Sequence, residues 1–316
     1  MVNKKFDVIV VGELNVDLIL NQIESFPEMG KEKLAEQMTL TLGSSSAIFA
    51  SNLSSLGARV AFIGKIGNDS FGDLVIDSLN EKNVNTDMII RDANLKTGAT
   101  IVLNYDEDRA MITHPGAMNY LNLEDIKTDY LSNARHLHFS SYFLQPGFRN
   151  KIGKLFKWAK ELGLTTSFDP QWDPEEKWNL SVQNTLPFVD VFLPNYNEFL
   201  LLTGKDDINQ AFDSVGEFAN TIVVKNGNNG SILWQQNQIA ELPPYLNKNV
   251  VDAIGAGDSF NAGYIFKFIN GNSPEECQRF ANLTGAINTT AAGGTGAFIG
   301  YSKIMKLAKE RFGFDE

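Results

Sequence analysis

The chain of 316 residues carries 27 basic and 38 acidic side chains, a formal net charge of −11, and has no lysine- or arginine-rich run. That balance excludes nucleic acid as an expected partner, and the length suits one large α/β domain, 1–316. The lone Cys277 can form neither an internal disulfide nor a multi-cysteine metal site, and nowhere do about 18 apolar residues run together. With no signal-peptide pattern at the start, a cytoplasmic protein without membrane contact is expected.

In chain order, Phe6–Val11 is an apolar, β-branched run ending in Gly12, the pattern of a strand buried on both faces. Asn15 and Asp17 follow two apart, so on an extended chain they face one side. Similar strand-like runs recur at Val60–Ile63, 136–140, 165–168, 189–193 and Thr221–Lys225. Helical patterns lie between them at 47–56, 71–82, 148–162 and 198–203, three of them ended by Gly57, Gly163 and Gly204. The alternation predicts a mostly parallel central sheet with helices on both faces, binding its ligands beyond the carboxyl ends of the strands.

Residues 33–42 and 98–113 break this rhythm with strand-like alternation, Asp106-Glu107-Asp108 being the expected hairpin tip. They predict a small β lid. Further on, Ser273-Pro274-Glu275-Glu276 predicts a capped helix running to about Ala292, where Gly293-Gly294 stops it.

Asp252-Ala253-Ile254-Gly255-Ala256-Gly257-Asp258, entering an apolar stretch, is the most informative segment. Small residues at a helix N-terminus let backbone amides converge on an anion, and Asp258 then sets a carboxylate beside it. Phosphoryl transfer needs such a cradle and a carboxylate for the attacking hydroxyl; the competing role for Asp258 is a plain N-cap. Glu198, paired with Asn195, suits a sparsely held magnesium ion or a first-turn carboxylate. Asn15 and Asp17 suit sugar hydroxyls at a strand end, the competing roles being a structural turn residue for Asn15 and a surface carboxylate for Asp17. His136 and His138 share a strand face and are expected to be packed, while His114, beside Pro115, is placed at the pocket mouth. Trp172 is the one tryptophan suited to stacking on a sugar, and Gly12 belongs to no dinucleotide fingerprint.

The segment 252–265 resembles the C-terminal signature of the ribokinase-like (PfkB) carbohydrate kinases, Asp-Thr-x-Gly-Ala-Gly-Asp followed by a helix, with Ala253 as a departure. Gly12-Glu13-Leu14-Asn15-Val16-Asp17 is similar to the family's first sugar-binding strand end, and Gly64 to Gly72 to its loop after the second main strand. Asn195-Tyr196-Asn197-Glu198 matches its Asn-x-x-Glu, and Lys225-Asn226-Gly227-Asn228-Asn229-Gly230 its nucleotide loop. The resemblance implies a ribokinase-like α/β fold and ATP- and magnesium-dependent phosphorylation of a hydroxyl on a sugar or sugar-like molecule. It implies Asp258 as base, with the amides of Gly255, Ala256 and Gly257 neutralising charge. Asn195 and Glu198 would serve magnesium; Asn195, Lys225, Gly227, Gly230, Gly257 and Asn282 the nucleotide; Asn15, Asp17, Gly43, Ser44, Asp169, Gln171 and Asp258 the acceptor. A monovalent cation such as K+ near Asp252 and 293–296, and a homodimer joined through the lids, are further implications.

Four more positions depart from the family pattern. Ile48 and Met118 stand where the family has Asn, Gln171 replaces an Asn, and Asp173 replaces an Arg. Loss of that cation argues against an anionic sugar at that point. A nucleoside kinase of the same fold and a catalytically silent binding protein are the alternatives.

Overall fold

The computed structural model describes residues 4–105 and 108–315. The first half of the chain contains β1 (Phe6–Val11), β2 (Asn15–Ile23), β3 (Ala35–Leu42), α1 (Ser45–Ser55), β4 (Val60–Ile63), β5 (Lys65–Gly67), α2 (Ser70–Glu81), β6 (Ile90–Asp92), β7 (Gly98–Tyr105), β8 (Asp108–His114), α3 (Thr128–Ser132) and β9 (Ala134–Ser140). There follow α4 (Ile152–Glu161), β10 (Thr165–Asp169), α5 (Val182–Thr185), β11 (Val191–Phe192), α6 (Tyr196–Thr203), α7 (Ile208–Val215), β12 (Thr221–Lys225), β13 (Ser231–Gln235), β14 (Gln238–Leu242), α8 (Ala256–Ile269), α9 (Pro274–Asn288) and α10 (Tyr301–Phe312).

The main sheet has the order β14-β13-β12-β11-β10-β9-β1-β4, parallel from β12 to β4 and antiparallel through the β13–β14 hairpin. Side chains on β1 alternate between two cores, Ile9 and Val11 in one, Val8 and Val10 in the other. Helices α4, α6 and α7 cover the first, and α1, α2, α8 and α9 the second. Because β4 lies on one side of β1 and β9 on the other, the order reverses there, and a crevice opens beyond the strand ends. No helix among the described residues is long and apolar enough to cross a membrane.

The lid is a four-stranded sheet, β3-β2-β7-β8. It is larger than the two segments expected, because Asn15 and Asp17 open lid strand β2 directly after β1. Asp106 and Glu107, expected at the hairpin tip, lie outside the described residues; Tyr105 pairs with Asp108 across it. One face registers Leu40, Leu18, Ile101 and Ile112 side by side, while the other carries Thr41, Asp17, Thr100 and Thr113.

Several boundaries shift for local reasons. The helix expected at 148–162 begins at Ile152, because residues 146–148 form a 3₁₀ turn and Asn150 sits at φ 60. The strand expected at 189–193 shrinks to Val191–Phe192 after a second such turn at 186–188. Helix α6 starts two residues early, because Asn195 and Glu198 close a reciprocal capping box. Helix α9 has the expected Ser273 cap but ends at Asn288 rather than near Ala292. There the Asn288 amide donates to Ile254 O (2.6 Å) and its oxygen accepts from Ser259 (2.8 Å), tying the helix end to the 252–258 loop.

His136 and His138 are fully buried on β9, each bonded at 2.7 Å to Ser167 Oγ, and His138 stacks on Phe49. Burial holds both pKa values below normal, that of His136 at about 3. Between about pH 3 and 6.5 the unfolded chain therefore binds more protons at His136 than the native one, so this contribution to stability is lost as pH falls. A His136→Gln variant should lose less urea stability than the parent between pH 7 and pH 5; equal losses would show that His136 does not contribute.

Candidate active site

A cleft of about 1080 Å³ runs between the lid and the carboxyl ends of the parallel strands. Its floor includes Glu13 after β1, Ser141 after β9, Gln171 after β10, Glu198 after β11 and Lys225 at the end of β12. The N-terminus of α8 points into it through residues 253–258.

The α8 entry depends on two glycines. Gly255 is the N-cap at φ 75, and a Cβ there would lie 2.7 Å from Gly294 Cα. A Cβ on Gly294 would meet Ile48 Cδ1 at 2.4 Å. Ile48 therefore fills the notch between these two loops. Asp252 joins the same loops, accepting from the amides of Ile254 and Gly293, both at 2.9 Å. Of the three loop amides expected to face an anion, that of Ala256 already donates to Ala253 O (3.3 Å), whereas first-turn amides such as that of Gly257 find no acceptor within the helix.

Asp258 is buried in the first turn of α8 and lines the cleft. Burial, then the neighbouring Asp169, raises its pKa well above the usual carboxylate range. Gln171 Nε2 donates to its Oδ1 at 3.1 Å, and Ser45 adds a side-chain hydrogen bond. Asp169 does not line the cleft. It is fully buried beneath it, accepting from Lys225 Nζ (2.5 Å) and Asn261 Nδ2 (2.5 Å). Lys225 thus uses its ammonium inward while its stem lies under Gly257, where a Cβ would be 3.7 Å away.

Glu198 is 3% exposed; one oxygen accepts from Asn195 N (2.8 Å), and Asn195 Oδ1 accepts from Glu198 N (2.9 Å). Burial and Asp169 raise its pKa to about 7. A single carboxylate with one oxygen committed to a cap fits an ion held mainly by water and phosphate. No cluster of three or more acidic, His or Cys ligands occurs among the described residues.

At the lid end, Asn15 Nδ2 donates to Thr100 Oγ1 (2.8 Å) and Asp17 Oδ1 (3.2 Å). Gly43 lies behind them: a Cβ there would fall 2.2 Å from Asp17 Oδ1, so glycine makes room for that carboxylate. Ser44 caps α1 through Ala47 N (3.0 Å) and donates to Glu13 O (2.6 Å). Trp172, 46% exposed, stands edge-to-face on Trp178, which in turn meets Phe143. Asp173 shapes this wall by accepting from the amides of Glu175, Lys177 and Trp178. Arg149 enters the cleft nearby, bonded to Glu175 at 2.7 Å.

The structure thus gathers Asn15, Asp17, Ser44, Gln171, Asn195, Glu198, Lys225, Gly227 and 255–258 around one cleft. Asp169, Gly43, Gly230, Asn282 and His114 stand outside its lining. A Cβ on Gly230 would meet Leu242 O at 2.0 Å, and Asn282 Nδ2 donates to Pro243 O (3.1 Å), so both support the loop wall from behind. His114 gives way to its strand neighbour Thr113 and to Pro115. Sequence reasoning missed Glu13, Ser45, Thr100, Phe143 and Arg149 as cleft residues. Glu13, adjoining Gly12 at the end of a strand, could have been found; Arg149 has no local signal.

A family model described as pfkB family carbohydrate kinase matches residues 5–298. An uncharacterized sugar kinase of Archaeoglobus fulgidus is 28% identical, covering 74% of this chain and 92% of its own. A probable fructokinase of Arabidopsis thaliana is 27% identical over 84% of this chain and 87% of that protein. The solved ribokinase of Arabidopsis thaliana, complexed with ribose and ATP, matches with a TM-score of 0.84 at 25% identity, covering 96% of this chain and 99% of that one. The chain belongs to the pfkB family and has its ribokinase-like fold, which makes it a sugar or nucleoside kinase, a phosphotransferase acting on an alcohol group.

With its pKa raised to about 7, Glu198 is protonated in the native state over a range where the unfolded chain is ionised. Its contribution to stability is present below pH 4.5 and lost as pH rises through about 7. Glu198→Gln should therefore raise the ligand-free Tm relative to the parent more at pH 8 than at pH 4. A uniform effect across that range would contradict the assignment.

Proposed function

We propose that the protein transfers the terminal phosphoryl group of ATP, in the presence of Mg2+, to a hydroxyl of an uncharged sugar or sugar-like acceptor. The observation that supports this most directly is the buried Asp258 carboxylate, one residue beyond the glycine entry of α8, in a cleft whose other end is lined with hydroxyl-matching groups. Mg2+, when bound, neutralises phosphate charge; Glu198 would hold it, with Asn195 orienting Glu198 through their reciprocal cap. ATP would lie along 225–227 and the α8 N-terminus.

Asp258 accepts the proton of the acceptor hydroxyl as its oxygen bonds to the terminal phosphorus, the bridging P–O bond breaks, and ADP leaves. A base with a raised pKa suits that transfer near neutral pH. First-turn amides of α8 and the helix dipole stabilise the charge that develops. Asn15, Asp17, Thr100 and Thr113 orient the acceptor from the lid, which excludes competing water on closing. No step rests on a monovalent cation.

An uncharged acceptor follows from the cleft's electrostatics. Arg149, the cation at the acceptor end, is bonded to Glu175, and position 173 carries a turn-forming carboxylate. A nucleoside acceptor is the second reading, favoured by the apolar wall of Ile48, Met118, Phe143 and Trp172. We also propose a homodimer through the outer lid face, where Met38 (69% exposed), Leu40, Ile101 and Ile112 (68%) form an apolar surface turned away from the cleft.

Asp258→Asn should lower kcat by about 10²- to 10⁴-fold while ATP binding persists. Unchanged turnover would remove Asp258 as the base. In a coupled ADP-release assay, D-fructose, D-ribose or adenosine should be preferred over D-gluconate or sugar phosphates; preference for the anions would reverse the proposed acceptor class. Sedimentation should give a dimer that Ile112→Lys converts to monomer; a monomeric parent would refute the lid interface.

A further inference from the structure

Gln171 stands two residues beyond the end of β10 at φ 59, a left-handed conformation uncommon for a residue with a side chain. Its amide nitrogen donates to two carboxylates, Asp169 Oδ2 at 3.0 Å and Asp258 Oδ1 at 3.1 Å, and its backbone N–H donates to Asp169 Oδ1 at 3.2 Å. With Asp169 paired to Lys225 and bonded to Asn261, both acceptors of the Gln171 amide are carboxylate oxygens. The NH₂ end must therefore be the one that faces them.

We propose that Gln171 is the positioning residue of the base: by tying Asp258 Oδ1 to the end of β10 it fixes the rotation of that carboxylate and presents Oδ2 to the acceptor hydroxyl. This rests on Asp258 being the base. It differs from the acceptor contact that the family resemblance assigns to position 171, because the Gln171 amide hydrogens are already committed to protein carboxylates. The groups facing Asp258 are Asp169 from β10, Lys225 from β12, Glu13 beyond β1 and Ser45 from α1. Asp169 and Glu13 disfavour its ionised form; Lys225 and Ser45 favour it, as does the bond from Gln171. Losing the Gln171 donor should therefore raise the pH at which Asp258 ionises. A glutamate at 171 should raise it further by adding a third carboxyl group.

The deciding measurement needs no acceptor. In aspartate-labelled, ligand-free protein, the Asp258 carboxyl resonance, identified by its loss in Asp258→Asn, is titrated in the parent, Gln171→Leu and Gln171→Glu. The midpoint should rise by about one pH unit in Gln171→Leu and more in Gln171→Glu. An unmoved midpoint in both variants overturns the proposal. With MgATP and whichever of D-fructose, D-ribose or adenosine the parent turns over fastest, Gln171→Leu should lower kcat about tenfold or more and shift the acid limb of its pH profile upward. The ATP KM should stay constant. A rise in acceptor KM alone, with kcat and the acid limb unchanged, would make Gln171 a substrate contact and overturn the positioning role. If the parent phosphorylates none of these acceptors, the proposed reaction fails with them, while the titration still decides what Gln171 does to Asp258.

Discussion

The buried ion pair between Asp169 and Lys225 is the interaction on which the rest of the site depends. Two charges taken out of water are tolerated only when each is satisfied, and here side chains from the ends of β10 and β12 meet across the short β11 at 2.5 Å, with Asn261 of α8 adding a third arm. The ends of β10 and β12 and the first turns of α8 are thereby pinned to one point. Glu198 and Asp258 both feel the Asp169 charge, and both are buried. The pair thus sets the field in which these two carboxylates ionise.

A second constraint is steric. Gly255, Gly294 and Ile48 share a space that admits no further methyl group, so the helix entry, the loop after α9 and the start of α1 are packed directly against one another. The Asp252 carboxylate binds the same two loops through backbone amides, and Asn288 fastens the end of α9 to Ile254. Ile48, which looked like a missing polar contact, contributes by packing. The polar work at that end passes to Glu13, whose carboxylate accepts from Ser46 N (3.1 Å) and the Ser46 hydroxyl and whose carbonyl accepts from the Ser44 hydroxyl.

The strands of the main sheet were legible because a strand buried on both faces reads as a short, continuous apolar run, and Phe6–Val11, Val60–Ile63 and Thr221–Lys225 fall where those runs lie. The capping boxes at Ser273 and Asn195 are equally local. What escaped was non-local or depended on side chains reaching back: Asn150 in a left-handed turn delaying α4, Asn288 ending α9 early, and β2 joining the lid because its partners lie at 35–42 and 98–103. Asp169 and Arg149 show the same limit within the site. The family resemblance placed Asp169 among the acceptor residues, whereas in the fold it is fully buried under the cleft floor; Arg149 has no motif and reaches the cleft only through the turn after β9.

By itself, the sequence determined the fold class, the parallel sheet with a lid, and the glycine segment that opens α8, because periodicity, caps and glycine loops act over a few residues. Tertiary structure alone decided which carboxylates are buried and coupled, and that the Gln171 amide donates to Asp258 and Asp169. Those outcomes depend on groups from β1, β10, β12, α1 and α8 meeting in low dielectric. Charge, solvation and hydrogen-bond direction there depend on every neighbour at once.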